Sequence, residues 1–248
     1  MITIKSEQEL RRMREAGRLV AQVLTGLRER VKPGVVTASL DAWAEQTIRQ
    51  HGGVPSFKGY RGYPASVCIS VDTEVVHGIP NRRRLHEGQI VSLDVGVIYE
   101  GYHGDAAVTV GVGSIGSVAA GLLQATEDAL IAGIAAAWAG RRLGDVSNAI
   151  QRVAEQRGYG VVREYVGHGI GKEMHEDPQI PNYGEPGRGP LLRPGMTLAL
   201  EPMLTAGDCR TRVAEDGWTV LTAENCLAAH FEHTILVTEG EAEILTSP

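Results

Sequence analysis

The sequence predicts an α/β (α+β) fold built from two duplicated halves, with acidic side chains from both halves meeting at the centre of one sheet. Three observations predict it. Gly34 and Gly140, Ser39 and Asp145, and Gly52 and Gly158 each lie 106 positions apart (140 − 34), so two helix pairs share one plan. The strands repeat as well: Glu87-Gly88-Gln89-Ile90-Val91-Ser92-Leu93-Asp94 lines up with Pro194-Gly195-Met196-Thr197-Leu198-Ala199-Leu200-Glu201, placing an acid at the same point of each. The stretch Ile90 to Val110, IVSLDVGVIYEGYHGDAAVTV, sets Asp94 and Asp105 among apolar and β-branched residues. A lone charge is costly there unless it is paired or holds a metal. We read residues 1–248 as one domain with halves of about 6–111 and 117–240, its site on the pseudo-twofold axis.

At 248 residues and 43% hydrophobic, the chain can bury a full core. A net charge of −6 argues against general nucleic-acid binding, DNA included. Cys68, Cys209 and Cys226 show no CxxC spacing, which suits free thiols in a reducing cytoplasm. The opening MITIKSEQEL lacks a charged and then apolar leader, and no apolar run approaches a membrane span, so the expected location is cytoplasmic and off the membrane.

In order along the chain, Ser6 to Glu9 reads as a capping box, and Leu10, Met13, Gly17, Val20, Leu24, Leu27 and Val31 follow at helical steps. Lys32-Pro33-Gly34 ends that helix. A second runs from about Thr37 or Ser39 to His51, with Leu40, Trp43, Ala44 and Ile48 inward, before Gly52-Gly53. A strand over Ser66–Val71 and the segment Val75–Pro80 lead to the Asp94/Asp105 hairpin. Gly111 to Gly116 matches GxGxxG, but it follows an antiparallel strand and no acid closes a later strand about 20 residues on, so it reads as a Gly-rich turn. Helices are then expected over about Ser117–Ala137 and from Asp145 to Gly158.

If Glu100-Gly101 is a two-residue loop, Asp105 faces Gly96 and Asp94 lies diagonally on the same face. Each acid alone can be a satisfied buried carboxylate. Gly104-Asp105-Ala106-Ala107-Val108, however, resembles Phe231-Glu232-His233-Thr234-Ile235, so both halves offer two strand-borne acids, joined by His168 in a Gly-flanked turn. His77-Gly78-Ile79 and His168-Gly169-Ile170 also match, at a different offset of 91 (168 − 77). Four carboxylates and an imidazole form an oxygen-rich set suited to two divalent cations.

These residues resemble the bacterial type I methionine aminopeptidases along essentially the whole chain. The motifs are Gly59-Tyr60-Arg61-Gly62-Tyr63-Pro64, Ser66 to Ser70, His77-Gly78-Ile79-Pro80, Asp94 with Asp105, Glu164 to Gly171, His175-Glu176-Asp177-Pro178, Leu200-Glu201-Pro202-Met203, Asp216 to Thr219 and Phe231-Glu232-His233-Thr234. The resemblance implies the pita-bread fold, a mainly antiparallel sheet covered by helices. It implies an aminopeptidase, a monomer, that takes the N-terminal methionine from nascent proteins and peptides when the second residue is small. Asp94, Asp105, His168, Glu201 and Glu232 are then ligands of two metal ions (Co²⁺, Mn²⁺, Fe²⁺ or Zn²⁺), Asp105 and Glu232 bridging. Glu201 is implied as proton acceptor, His175 as support for the carbonyl oxygen, and His77 as a substrate contact; spacing alone leaves both histidines readable as hydrogen-bonded turn residues.

The pocket for the methionine side chain is implied as Phe57, Tyr60, Tyr63, Cys68, Met174 and Trp218. Met174 stands where the resemblance calls for an aromatic, and Phe57 where some members carry a smaller residue. Asn81-Arg82-Arg83-Arg84 reads as a solvated loop or a transient contact with ribosomal RNA, and Tyr183 to Pro190 as a mobile surface loop. Two alternatives differ by simple features. An Xaa-Pro peptidase of this fold carries a large extra N-terminal domain, not expected where the first helix opens at Ser6. A non-catalytic pita-bread binding module lacks the metal ligands, all five of which are filled here.

Overall fold

The computed structural model describes residues 1–247. Helix α1 (Glu7–Arg30) opens at Ser6, whose hydroxyl accepts from the Glu9 N–H while the Glu9 carboxylate accepts from the Ser6 N–H, the expected capping box. Its periodic residues are buried, and it packs across strands β4 (Ile90–Tyr99) and β5 (Tyr102–Gly111). Helix α2 (Thr37–Gln50) buries Leu40, Ala44 and Ile48. Trp43 is half-buried, with the Arg30 guanidinium 3.9 Å from its ring centre. Short strands β1 (Val54–Pro55) and β2 (Cys68–Val71) lie against β4, and β3 (Glu74–Val76) follows.

The second half repeats this with α3 (Ser117–Ala136) and α4 (Leu143–Gln156). Gly34 N–H donates to the Leu85 carbonyl and Leu85 N–H to the Val35 carbonyl; Gly140 and Leu192 make the same pair of bonds with Arg141 in the place of Val35. Helix α4 starts at Leu143, two residues before the expected Asp145. Asp145 acts from the third position, its carboxylate accepting from the Arg142 N–H at 2.8 Å, as Ser39 stands third in α2. Helix α3 corrects the expectation that no segment is long and apolar enough to cross a membrane. By length and composition it is, yet Leu122, Ala125, Ala129 and Leu130 are buried against the protein, so its apolarity serves the core.

The remaining strands are β6 (Gly160–Val161), β7 (Gly167–Gly169), β8 (Glu176–Ile180), β9 (Thr197–Leu200), β10 (Met203–Thr205), β11 (Thr211–Val213), β12 (Val220–Thr222), β13 (Ala228–His230), β14 (Glu232–Leu236) and β15 (Glu243–Ile244). The main sheet runs β1-β4-β5-β14-β9-β7-β8, with β2 also on β4 and β15 also on β14; its pairings are antiparallel. The two central strands β5 and β14 come one from each half. One apolar core fills the space between α1, α2 and β2, β4 and β5, and a second lies under α3 and α4.

Three loops complete the picture. Gly111–Gly116 is a turn, as expected, with the Glu87 carboxylate accepting from the Ser114 N–H. In the arginine run, Arg83 pairs with Glu74 at 2.6 Å and Arg84 donates to the Gly34 carbonyl at 2.8 Å, so two of its charges are engaged internally. The 183–190 loop is exposed at its tip yet pinned to α4: Gly187 N–H donates to Asp145, and Asn148 Nδ2 to the Gly184 carbonyl.

Candidate metal centre

Register alone gathers the acids. On β4 and β5, Asp94 pairs with Ala107 and Gly96 with Asp105; the turn joining them has Glu100 at φ 45° and Gly101 at φ 82°. Ala107 pairs in turn with Glu232 on β14, and extending the β14–β9 register by one pair brings Glu201 opposite Glu232. Asp94, Ala107, Glu232 and Glu201 therefore form one row across four strands. The adjacent row on the same face runs Gly96, Asp105, Thr234, Ala199, His168. Thr234 ties Asp105 into it, its hydroxyl donating to the Asp105 carbonyl and accepting from the Asp105 N–H. The small side chains of Ala107 and Ala199 leave the face open between the acids.

Burial pushes the Asp94 carboxyl up to about 7. Asp105, Glu201 and Glu232 are held well above the ordinary carboxylate range, by burial first and by their mutual negative charge second. Among the described residues no Lys or Arg forms an ion pair with any of the four; the cationic candidates are His168, 3.6 Å from Glu201, and His230, 3.8 to 3.9 Å from Glu232 and Glu201. Burial pushes both histidines down to about 3, which leaves them neutral. Asp94 Oδ1, Asp105 Oδ1 and Glu232 Oε1 are buried without a hydrogen-bond partner. Orphaned acceptors in a negative cluster fit divalent cations. Asp105, His168 and Glu232 each bring a donor atom within 4.8 Å of the others. His168 could serve as a ligand: its Nδ1–H donates to the Gly169 carbonyl at 2.9 Å, which leaves the Nε2 lone pair free on the side of Glu201.

The walls come from loops. A cavity of about 150 Å³ is lined by these five residues together with Phe57, Tyr60, Tyr63, Cys68, His77, Met174, His175 and Trp218, so the residues expected as metal ligands, catalytic groups and pocket walls all reach one space. Cys68 pairs with Asp94 across β2 and β4 and so extends the first row towards the wall. His175 lies 4.2 Å from His168, ring centre to ring centre, and its Nδ1 meets the Tyr60 hydroxyl at 2.8 Å. Burial, with Arg61 nearby, lowers it to about 4. His77 sits at φ 61°, a costly backbone state for a residue with a Cβ. The next residue, Gly78, is wedged against β2, where a Cβ would stand 2.3 Å from the Ile69 carbonyl oxygen. Gly96 is also a packing position: a Cβ would meet Ser56 Cβ at 2.8 Å and Phe57 Cε1 at 2.9 Å.

Two residues escaped the sequence reading. Arg61 lines the cavity beside Tyr60, and His230 lies behind Glu201 and Glu232. Arg61 stood inside a quoted motif. His230 carried one usable signal, its place two residues before Glu232, which a strand running through would put on the same face.

Comparison with known proteins places the chain in a family. The model of metallopeptidase family M24 matches residues 11–239. The methionine aminopeptidase of Clostridium acetobutylicum is 51% identical over 247 residues, 99% of each chain, and methionine aminopeptidase 1 of Bacillus subtilis is 50% identical over 246 residues, again 99% of each. The crystal structure of the methionine aminopeptidase from Thermotoga maritima matches with a TM-score of 0.99 at 48% identity over the whole of both chains, carrying the same pita-bread fold. The chain belongs to metallopeptidase family M24 and, within it, to the type I methionine aminopeptidases.

Proposed function

We propose that this chain hydrolyses the first peptide bond of proteins and peptides that begin with methionine and carry a small second residue. The observation that carries the reading is the convergence of four buried carboxylates and His168 at the floor of a cavity with apolar walls. Asp94, Asp105, His168, Glu201 and Glu232 would hold two divalent cations. When bound, such ions supply a water nucleophile at neutral pH and Lewis acidity at the carbonyl.

The remaining chemistry belongs to the side chains. Glu201 takes the proton of the attacking water and returns it to the departing amine nitrogen, so that the C–N bond breaks with a neutral leaving group. Asn182 steadies it, its Nδ2 donating to the Glu201 carbonyl at 3.0 Å. With the Tyr60 hydroxyl donating to Nδ1, His175 carries its proton on Nε2 and donates it as a hydrogen bond to the carbonyl oxygen as negative charge builds there. His77 contacts the substrate beside the scissile bond. Phe57, Tyr63, Cys68, Met174 and Trp218 enclose the unbranched thioether side chain; Met174 is 3% exposed and flexible enough to fill around it.

The test is methionine release from Met-Gly-Met-Met and Met-Ile-Met-Met by chelated protein reloaded with Mn²⁺, Fe²⁺, Co²⁺ or Zn²⁺. Metal-restored cleavage of the first peptide but not the second is expected. Release that survives chelation, or equal cleavage of both, overturns the reading.

A further inference from the structure

His230 is fully enclosed, 2% exposed, and its Nε2 has no hydrogen-bond partner. That nitrogen stands 3.9 Å from Glu201 Oε2 and 3.8 Å from Glu232 Oε2. Two carboxylates thus converge on one orphaned ring atom. The backbone that aims it is clamped: His230 N–H donates to Thr109 Oγ1 at 2.9 Å, the Thr109 hydroxyl donates to the His230 carbonyl at 2.7 Å, and Ser92 Oγ lies 2.8 Å from the same hydroxyl. Met203 pairs with His230 on the other side.

A carboxylate that holds a cation through one oxygen leaves the second needing a donor, and a buried acceptor without one is costly. For Glu201 the two nearby nitrogens are those of His168 and His230. The Nε2 of His168 has no proton to give, because its Nδ1–H is committed to the Gly169 carbonyl. We propose that His230 is a positioning residue of the metal centre, its Nε2–H donating to the oxygens of Glu201 and Glu232 that face away from the cations. It holds both acids in their binding rotamers without touching metal or substrate. This rests on the reading of Glu201 and Glu232 as metal-holding groups.

The side-chain geometry supplies a sharp test, since the amide nitrogen of Gln reaches about as far as histidine Nε2 and that of Asn only about as far as Nδ1. Chelated wild type, His230→Gln, His230→Asn, Glu201→Ala and Glu232→Ala are titrated with Mn²⁺ by calorimetry, and each is melted without metal to check its fold. We expect His230→Gln to bind within about threefold of wild type and His230→Asn to bind 10- to 100-fold more weakly. In reloaded enzyme kcat falls with the affinity while KM for Met-Gly-Met-Met stays put. Wild-type affinity in His230→Asn overturns the proposal. So does a His230→Gln variant that folds and binds weakly, which would make the imidazole itself a ligand; this arm decides even where His230→Asn fails to fold. If Glu201→Ala and Glu232→Ala bind Mn²⁺ like wild type, the underlying metal-site reading fails instead.

Discussion

Asp94, Asp105, Glu201 and Glu232 reach the cavity from strands and strand ends bonded to one another across β4, β5, β14 and β9, whereas Phe57, Tyr60, Tyr63, Met174 and Trp218 reach it from loops that meet through their side chains. The floor is fixed by backbone hydrogen bonds, whose register cannot shift by one residue without turning every acid to the other face. The walls are fixed by packing, as where Tyr63 meets Trp218 edge to face at 5.1 Å. Floor and walls should therefore fail differently. Damage to the floor should appear in metal affinity and turnover together, and damage to the walls in KM and in the choice of side chain.

The largest effect is expected at the floor. Asp105→Ala should lower both Mn²⁺ affinity and methionine release by more than about a hundredfold, beyond what loss of a supporting contact costs. Calorimetry and peptide assay on the same preparation check this; activity lost with affinity retained would break the comparison. His175→Ala should come next. It lies between the regions, stacked on Tyr60 and 4.2 Å from His168. Losing a donor to the carbonyl oxygen should lower kcat by about a hundredfold while leaving Mn²⁺ affinity unchanged. Gly96→Ala is the sharper case, since Gly96 is a floor position whose added methyl pushes on Phe57 in the wall. KM should rise by roughly tenfold, within the range one methylene can impose on a pocket, with metal affinity intact. A loss of affinity there would mean that floor and walls are mechanically one unit.

The same division explains what could be read in advance. Strand parity is written in the sequence, so the opposition of Gly96 and Asp105 and the diagonal placing of Asp94 followed from the Glu100-Gly101 turn, and the repeat carried the argument to Glu201 and Glu232. Loop walls have no period. Phe57, Met174 and Trp218 were legible through family resemblance, because nothing in their own spacing states that residues 57, 174 and 218 converge. His230 was missed for a different reason. The pairing of Leu200 with His233 and of Met203 with His230 keeps one register, bridged by the Phe231 N–H donating to the Pro202 carbonyl, so parity does carry from Glu232 back to His230; the strand read from sequence opened at Phe231-Glu232 and stopped one step short. The start of α4 was displaced because Asp145 reads as a first cap in sequence but works from the third position.

The smallest effect is one of stability, and it separates the regions without any substrate. In the chelated protein burial moves the Asp94 carboxyl from 3.8 up to about 7. Between those values the folded chain holds a proton there that the unfolded chain has released. Its contribution to stability is therefore full below about pH 4 and is lost as pH rises towards 7. Buried histidines such as His168 and His230, lowered to about 3, run the opposite way, gaining stability as pH rises towards 6.5. Both trends overlap in wild type, so the informative quantity is a difference between variants in which the histidines cancel. Chelated Asp94→Asn should melt close to wild type near pH 4 and above it near pH 7, by on the order of a few degrees, with Mn²⁺ reversing the order. Met174→Leu, a change in the wall with nothing to titrate, should show a difference that is flat with pH. A flat line for Asp94→Asn as well would mean that burial of this carboxylate carries no cost for a cation to relieve.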